Sequence, residues 1–231
     1  MKVLIACEES QRVCKAFREK GHEAYSCDIE RCSGRHPEWH IKMDVRYVLN
    51  GGVFKTQNNK NIVVYRWDLI IAHPPCTYLS NAATRSHSIR CTPLNMINGR
   101  TQKRIDGARF FMECINANCD KIAVENPVGI MNTLYRKADQ IIEPYYFAES
   151  VEDVENYTKK RTCLWLKGLP ELKRISELPE PNLKELYGTH PSGQARCWEE
   201  TRNGKNRACE RSKTFPGIAK AMAEQWGEDI D

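Results

Sequence analysis

The chain has 231 residues, 41% hydrophobic and 28% charged, enough for one substantial α/β domain with an appendage. No apolar run approaches the roughly 20 residues that a membrane span needs, and the start lacks a signal-peptide cleavage pattern, so a cytoplasmic protein without membrane contact is expected. Net charge +5 permits nucleic acid as a partner, while eleven dispersed cysteines, an odd number with no C-x-x-C pair, argue for free thiols over disulfides or a zinc ribbon.

Residues 2–7 read as a buried strand, followed by the turn Ala6-Cys7-Glu8-Glu9-Ser10. Ser10 is a plausible N-cap for a helix over 11–20, which places Val13, Cys14 and Phe17 on one face and stops at Gly21. A second strand, 22–27, ends in Asp28 and Ile29. In Rossmann-like folds an acid at that place accepts both hydroxyls of a ribose. The first turn has no G-x-G-x-x-G, so a pyrophosphate has no cradle and a nucleoside cofactor without phosphates fits better. A short third strand over 41–45 carries Asp44 and Val45 at its end, and 50–52 and 56–61 are turn-rich.

The centre of the chain is the stretch from Trp67 to Ser80. Leu69, Ile70, Ile71 and Ala72 form a buried parallel strand; His73, Pro74, Pro75 and Cys76 follow. Proline cannot donate to a sheet ladder, so the strand stops there and leaves a thiol on a rigid turn at the carboxyl edge, where open α/β sheets bind ligands. Residues 81–98 are polar and aperiodic, as in a loop closing over a site. A helix is expected over 99–116, with Ile105, Ala108, Phe111, Met112 and Ile115 buried. A strand over 121–124 then ends in Glu125-Asn126-Pro127, a second polar, proline-stopped strand end. Residues 129–137 read as a short helix or turn, 144–147 as extended, 162–166 as a strand after a basic run, and 215–226 as a closing helix with Pro216 in its first turn. His190, Cys197 and Cys209 lack a standard zinc-ligand spacing, and no metal is expected.

Pro74-Pro75-Cys76, Glu125-Asn126-Pro127 and a basic segment before a later strand resemble the DNA cytosine-5 methyltransferases, whose Pro-Cys, Glu-Asn-Val and arginine-bearing motifs stand at these places. Ser80, Ala82 and Arg85 fall where that family has a Ser, an Ala and an Arg, and residues 216–223 are similar to its last motif. The likeness covers most of 1–166 and 211–227 and is nearest the short forms carried by phages and prophages. It departs in the first turn, where the family has glycines, and in the arginine motif, which appears only as Thr158-Lys159-Lys160-Arg161-Thr162.

The resemblance implies S-adenosylmethionine as cofactor, held by Ala6, Cys7, Glu8, Ser10, Asp28, Ile29, Asp44, Val45, His73 and Pro74. It implies Cys76 as nucleophile, Glu125 as acid and base recogniser, and Arg161 as support for the ring carbonyl. Pro75, Ser80, Arg85, Asn126 and Pro127 would line the substrate side. The substrate would be a cytosine flipped out of DNA. A thiolate adding to carbon 6 makes carbon 5 enamine-like and able to take a methyl group, and cysteine suits this because its thiolate is strong even when scarce. Two other readings stand beside this one: a related pyrimidine modifier acting on RNA or a free nucleotide or transferring a bulkier group, and a catalytically silent nucleic-acid-binding relative. The expected architecture is a mostly parallel Rossmann-like sheet over 1–166, a small irregular recognition-type lobe over 167–210, and a C-terminal helix within 211–231 that returns to the core.

Overall fold

The computed structural model describes residues 1–84, 94–200 and 207–228. In chain order, β1 (Lys2–Ala6), α1 (Arg12–Glu19), β2 (Glu23–Asp28) and β3 (His40–Lys42) lay down one half of a sheet. A hairpin of β4 (Gly52–Lys55) and β5 (Asn61–Val64) intervenes before β6 (Leu69–Ala72), the short helix α2 (Asn81–Thr84) and the long helix α3 (Leu94–Ile115). Then come β7 (Ile122–Pro127), α4 (Met131–Leu134), β8 (Gln140–Ile142), β9 (Thr162–Lys167), α5 (Leu183–Tyr187), α6 (Arg207–Ser212) and α7 (Pro216–Gly227).

The seven-stranded sheet has the order β3-β2-β1-β6-β7-β9-β8. β3, β2, β1, β6 and β7 pair in parallel, and β9 runs antiparallel to both of its neighbours. The chain winds outward from β1 to β3 and then crosses back to β6 on the other side of β1. That reversal opens a crevice at the carboxyl ends of β1 and β6, the ligand position of a doubly wound, Rossmann-like sheet.

Side-chain alternation splits the core in two. Leu4, Ala6, Ile70, Ala72, Ile122, Val124 and Trp165 face α3 and the hairpin, with Phe111 and Trp67 filling that layer. Val3, Ile5, Leu69, Ile71, Ala123 and Leu164 face α1 and α7, where Phe17, Met222 and Trp226 are fully buried. Burying each such large side chain contributes about 2–3 kcal/mol. Leu172 and Trp198, from the expected irregular lobe, are buried in this second layer beside Phe215. No helix among the described residues is long and apolar enough to cross a membrane.

Several local expectations are corrected. Ser10 does not cap α1: the cap residue is Gln11 in a left-handed conformation (φ 59°), and the Glu8 carboxylate instead accepts from the N–H groups of Val13 (2.7 Å) and Cys14 (3.2 Å). A carboxylate reaches two orphan first-turn donors that a short hydroxyl reaches singly. The third strand stops at Lys42, and Asp44 opens a turn of 3-10 helix over 45–47 by accepting from the Arg46 N–H at 3.0 Å. Residues 144–147 form a 3-10 turn rather than an extended piece, and the helix placed at 99–116 starts at Leu94. The β4–β5 hairpin and β8 were not expected at all.

Candidate active site

The carboxyl ends of β1, β2, β3, β6 and β7 lie along one edge of the parallel part of the sheet. After β1 the chain turns at Cys7, whose φ of 61° is a left-handed value that glycine adopts freely and other residues rarely do. The turn thus keeps, without glycine, the conformation that glycines usually supply. Its N–H groups stay on the sheet: those of Cys7 and Glu8 donate to the Cys27 carbonyl at 2.8 and 3.3 Å. Gln11 is wholly buried; its side-chain amide donates to the Ser26 hydroxyl and the His36 carbonyl and accepts from the His36 N–H. Gly34 lies so close to this turn that a Cβ there would come within 2.6 Å of the Ser10 carbonyl. Ser10 itself is buried.

Asp28 and Ile29 end β2. Asp28 accepts from the Glu30 N–H at 2.9 Å, and burial lifts its carboxyl above the ordinary carboxylate value. Ile29 is 66% exposed, an unusual state for an isoleucine next to a half-buried acid. Asp44 is bound through both oxygens to Arg46, which also reaches Glu113 at 2.7 Å, while Val45 is buried. Cys7 stands between these acids: burial pushes its thiol well up, with Cys114, Asp28, Cys27 and Asp44 adding to the rise.

β6 and β7 are parallel neighbours with Ala72 opposite Val124, so the next residues, His73 and Glu125, emerge side by side. The His73 Nδ1 lies 2.7 Å from the Glu125 Oε2, with the two side chains 11% and 19% exposed. Burial alone would raise the Glu125 carboxyl, but His73, by charge and hydrogen bond, and Lys160 outweigh it and hold Glu125 below its ordinary value. Burial likewise opposes a charged imidazole, yet Glu125 and Glu8 leave His73 above its ordinary value.

Beyond the buried Pro74 and exposed Pro75, the Cys76 carbonyl accepts from the N–H groups of Leu79 and Ser80, both at 3.0 Å, closing a tight turn. Asn126, 2% exposed, donates its amide to the Pro74 carbonyl at 2.9 Å and so ties the proline turn to the end of β7. Ser80 and Gly129 form a β-bridge, with Ile130 N–H donating to the Leu79 carbonyl (2.8 Å) and Asn81 N–H to the Val128 carbonyl (3.1 Å). The loop after Cys76 is therefore stitched to the loop after Pro127. Burial raises the Cys76 thiol above its ordinary value; Lys160 and Arg211 oppose this and Glu125 adds to it.

In the basic segment before β9, Arg161 is 71% exposed in its side chain and its Nε lies 3.7 Å from the Glu143 carboxylate. Among the described residues, the lysine or arginine acting on both Cys76 and Glu125 is Lys160. Its ammonium lies 5.3 Å over the Trp198 ring and 5.5 Å over the Phe215 ring and donates to the Arg211 carbonyl. Its own N–H donates to the buried Glu143 carboxylate at 2.7 Å, which fixes the segment. Arg85 lies outside the described residues. Lys160 and the His73–Glu125 pair had no separate sequence signal: the first needs the placement of Trp198, Arg211 and Phe215, the second the register of two strands 52 residues apart.

Two clefts, about 520 Å³ between α1 and α7 and about 630 Å³ beside the β4–β5 hairpin, lie away from Cys76 and Glu125. Strand-end placement and electrostatic coupling, not cleft size, mark the site.

No protein-family profile and no curated protein matches the sequence. Among solved structures, the chain is similar to one from E. coli described as a "putative DNA modification methyltransferase encoded within prophage Cp", at 15% identity and a TM-score of 0.39. The match covers 83% of this chain and 56% of that one, so this chain aligns with about half of its length. At that score the likeness carries no argument, and the architecture rests on this chain's own strand order.

Proposed function

We propose that the protein is an S-adenosylmethionine-dependent methyltransferase acting on carbon 5 of cytosine in DNA through a covalent adduct at Cys76. The observation that supports it most is the convergence of Cys76 and Glu125 on neighbouring strand ends, with one cation, Lys160, acting on both.

The cofactor side fits a nucleoside that carries no phosphates. Asp28 at the end of β2 offers a carboxylate to ribose hydroxyls, exposed Ile29 offers an apolar surface to a purine face, and the Cys7 turn presents no free N–H cradle for a pyrophosphate. Asp44, engaged by Arg46 in the turn after β3, would stand on the same side of the cofactor. S-adenosylmethionine supplies an electrophilic methyl group when bound there.

This chain's own groups do the rest. Cys76 loses its proton to solvent, and its sulfur adds to carbon 6 of the base. Burial keeps the thiol protonated in the free protein, so Lys160 is the group that favours the thiolate when a substrate arrives. Glu125 reads nitrogen 3 and the exocyclic amine and offsets the charge that develops on the ring. Each such preorganised contact is worth about 2–4 kcal/mol in the transition state. Asn126 and the Ser80–Gly129 bridge hold the two strand ends at fixed separation, which the chemistry requires because misplacement by about 1 Å costs roughly 100-fold. A duplex must release the target base from its stack to reach Cys76.

The test is transfer of labelled methyl from S-adenosylmethionine to cytosine-bearing DNA by wild type and Cys76→Ser. The variant is expected to bind cofactor as the wild type does, by calorimetry, and to transfer nothing. Retained transfer in Cys76→Ser would overturn the covalent reading.

A further inference from the structure

His73, one of the residues expected to line the cofactor side, is enclosed at the crevice (11% exposed in its side chain), and its imidazole has no chemical role in the reading above. Its Nδ1 is bonded to Glu125 at 2.7 Å, and its backbone N–H donates to the Ala6 carbonyl at 2.9 Å, which pins it between β1 and β7. Its Nε2 is buried and has no hydrogen-bond partner among the described residues. Glu8, only 5% exposed, acts on it by charge from the turn after β1, and its carboxylate is already committed to the first turn of α1. One imidazole is therefore acted on by two enclosed carboxylates, Glu125 and Glu8, while burial and, among the described residues, Lys160 from the segment before β9 act against its charge. Two negative groups around one basic ring favour a stored proton.

We propose that His73 is a positioning residue that stores the proton which Glu125 passes to nitrogen 3 of the pyrimidine. The proposal rests on the cytosine reading and deepens it. As the Cys76 sulfur forms its bond to carbon 6, the C5=C6 electron pair moves to C4=C5, and the C4=N3 pair moves onto nitrogen 3. That nitrogen takes a proton from Glu125, which draws it from His73 Nδ1. The pair goes from net neutral to a single negative charge, matching the charge the thiolate has given up. Once the C4=C5 pair has bonded carbon 5 to the methyl group and the C4=N3 bond has re-formed, nitrogen 3 returns its proton by the same route. Carbon 5 then gives its proton to water or hydroxide from solvent, that C–H pair re-forms C5=C6, and the C–S pair leaves as the thiolate. Glu8 stays an acceptor of backbone N–H bonds throughout and acts only by charge.

The test uses the full chain and His73→Asn, whose amide N–H takes the place of Nδ1–H and keeps Glu125 oriented but stores no proton. The readouts are the imidazole titration of His73 by NMR in the free protein, and the rate of covalent adduct formation with 5-fluorocytosine DNA and S-adenosylmethionine across pH. His73 is expected to titrate above the ordinary value of about 6.5 and to fall in both Glu125→Gln and Glu8→Gln. Adduct formation in the wild type is expected to rise with pH as the thiol ionises and to fall once His73 deprotonates. His73→Asn is expected to lose that alkaline fall and to slow about 100-fold at neutral pH with unchanged DNA binding. A wild-type rate and pH profile in His73→Asn, or a His73 that titrates below its ordinary value, would overturn the stored proton alone. No adduct in the wild type would overturn the cytosine reading and the relay with it.

Discussion

Gly129→Ala isolates what holds the two catalytic strand ends together. A Cβ at Gly129 would come within 2.0 Å of the Leu79 carbonyl oxygen and 2.9 Å of its carbon and of the Ser80 Cα. All three are backbone atoms, so no side-chain rotation relieves the overlap and the 79–81 segment must move. The two hydrogen bonds flanking the bridge, Ile130 N–H to Leu79 and Asn81 N–H to Val128, are then lost. At about 1 kcal/mol each, with the displacement added, the cost is about 2–3 kcal/mol. For a chain of this length that lowers Tm by about 4–12 °C. The sheet should survive, because neither loop contributes to its ladders. The assay is a thermal melt followed by circular dichroism, paired with hydrogen exchange at Asn81 and Ile130. A wild-type Tm with protected Asn81 and Ile130 amides would refute the reasoning, since it would mean that the added Cβ meets no backbone and the bridge stays intact. Because Cys76 shifts relative to Glu125, methyl transfer should fall by about 100-fold even below the melting range.

Asp28→Ala should weaken S-adenosylmethionine binding by about 100-fold in calorimetry, the worth of two charge-assisted hydrogen bonds to hydroxyls, and an unchanged Kd would remove Asp28 from the cofactor site. Iodoacetamide should label Cys76 slowly at neutral pH and faster as pH rises, because burial holds its thiol above the ordinary value. Lys160→Met should raise that thiol further and slow labelling at any fixed pH; faster labelling in the variant would show that Lys160 does not face the sulfur. Glu8→Ala should cost about 1–2 kcal/mol in urea unfolding through loss of both first-turn bonds of α1, while Ser10→Ala should leave stability nearly unchanged. Equal effects of the two substitutions would contradict the assigned cap.

The centre of the parallel sheet was legible because β1, β6 and the start of β7 are continuous apolar runs, as at Leu69–Ala72, each stopped by proline or followed by a charged turn. Pro74-Pro75-Cys76 and Glu125-Asn126-Pro127 could be read as strand ends for the same reason. The β4–β5 hairpin was hidden because Val53 (73%), Val63 (47%) and Tyr65 (93%) are exposed, so its alternation does not separate apolar from polar residues. β8 is three residues long and gains its place only by pairing with β9. That Lys160 acts on Cys76 and Glu125 was not legible, because neighbouring residues of one basic run carry no sequence mark of what each faces. The bond from His73 to Glu125 needed β6 and β7 to be neighbours in known register.

The most direct test of the central claim is a trap. The protein is mixed with S-adenosylmethionine and a duplex library carrying 5-fluorocytosine, whose fluorine blocks the elimination that would release the enzyme. The account predicts a denaturation-resistant protein–DNA adduct whose attachment point maps to Cys76 by mass spectrometry. An adduct at another cysteine, or none despite measured cofactor binding, would contradict it.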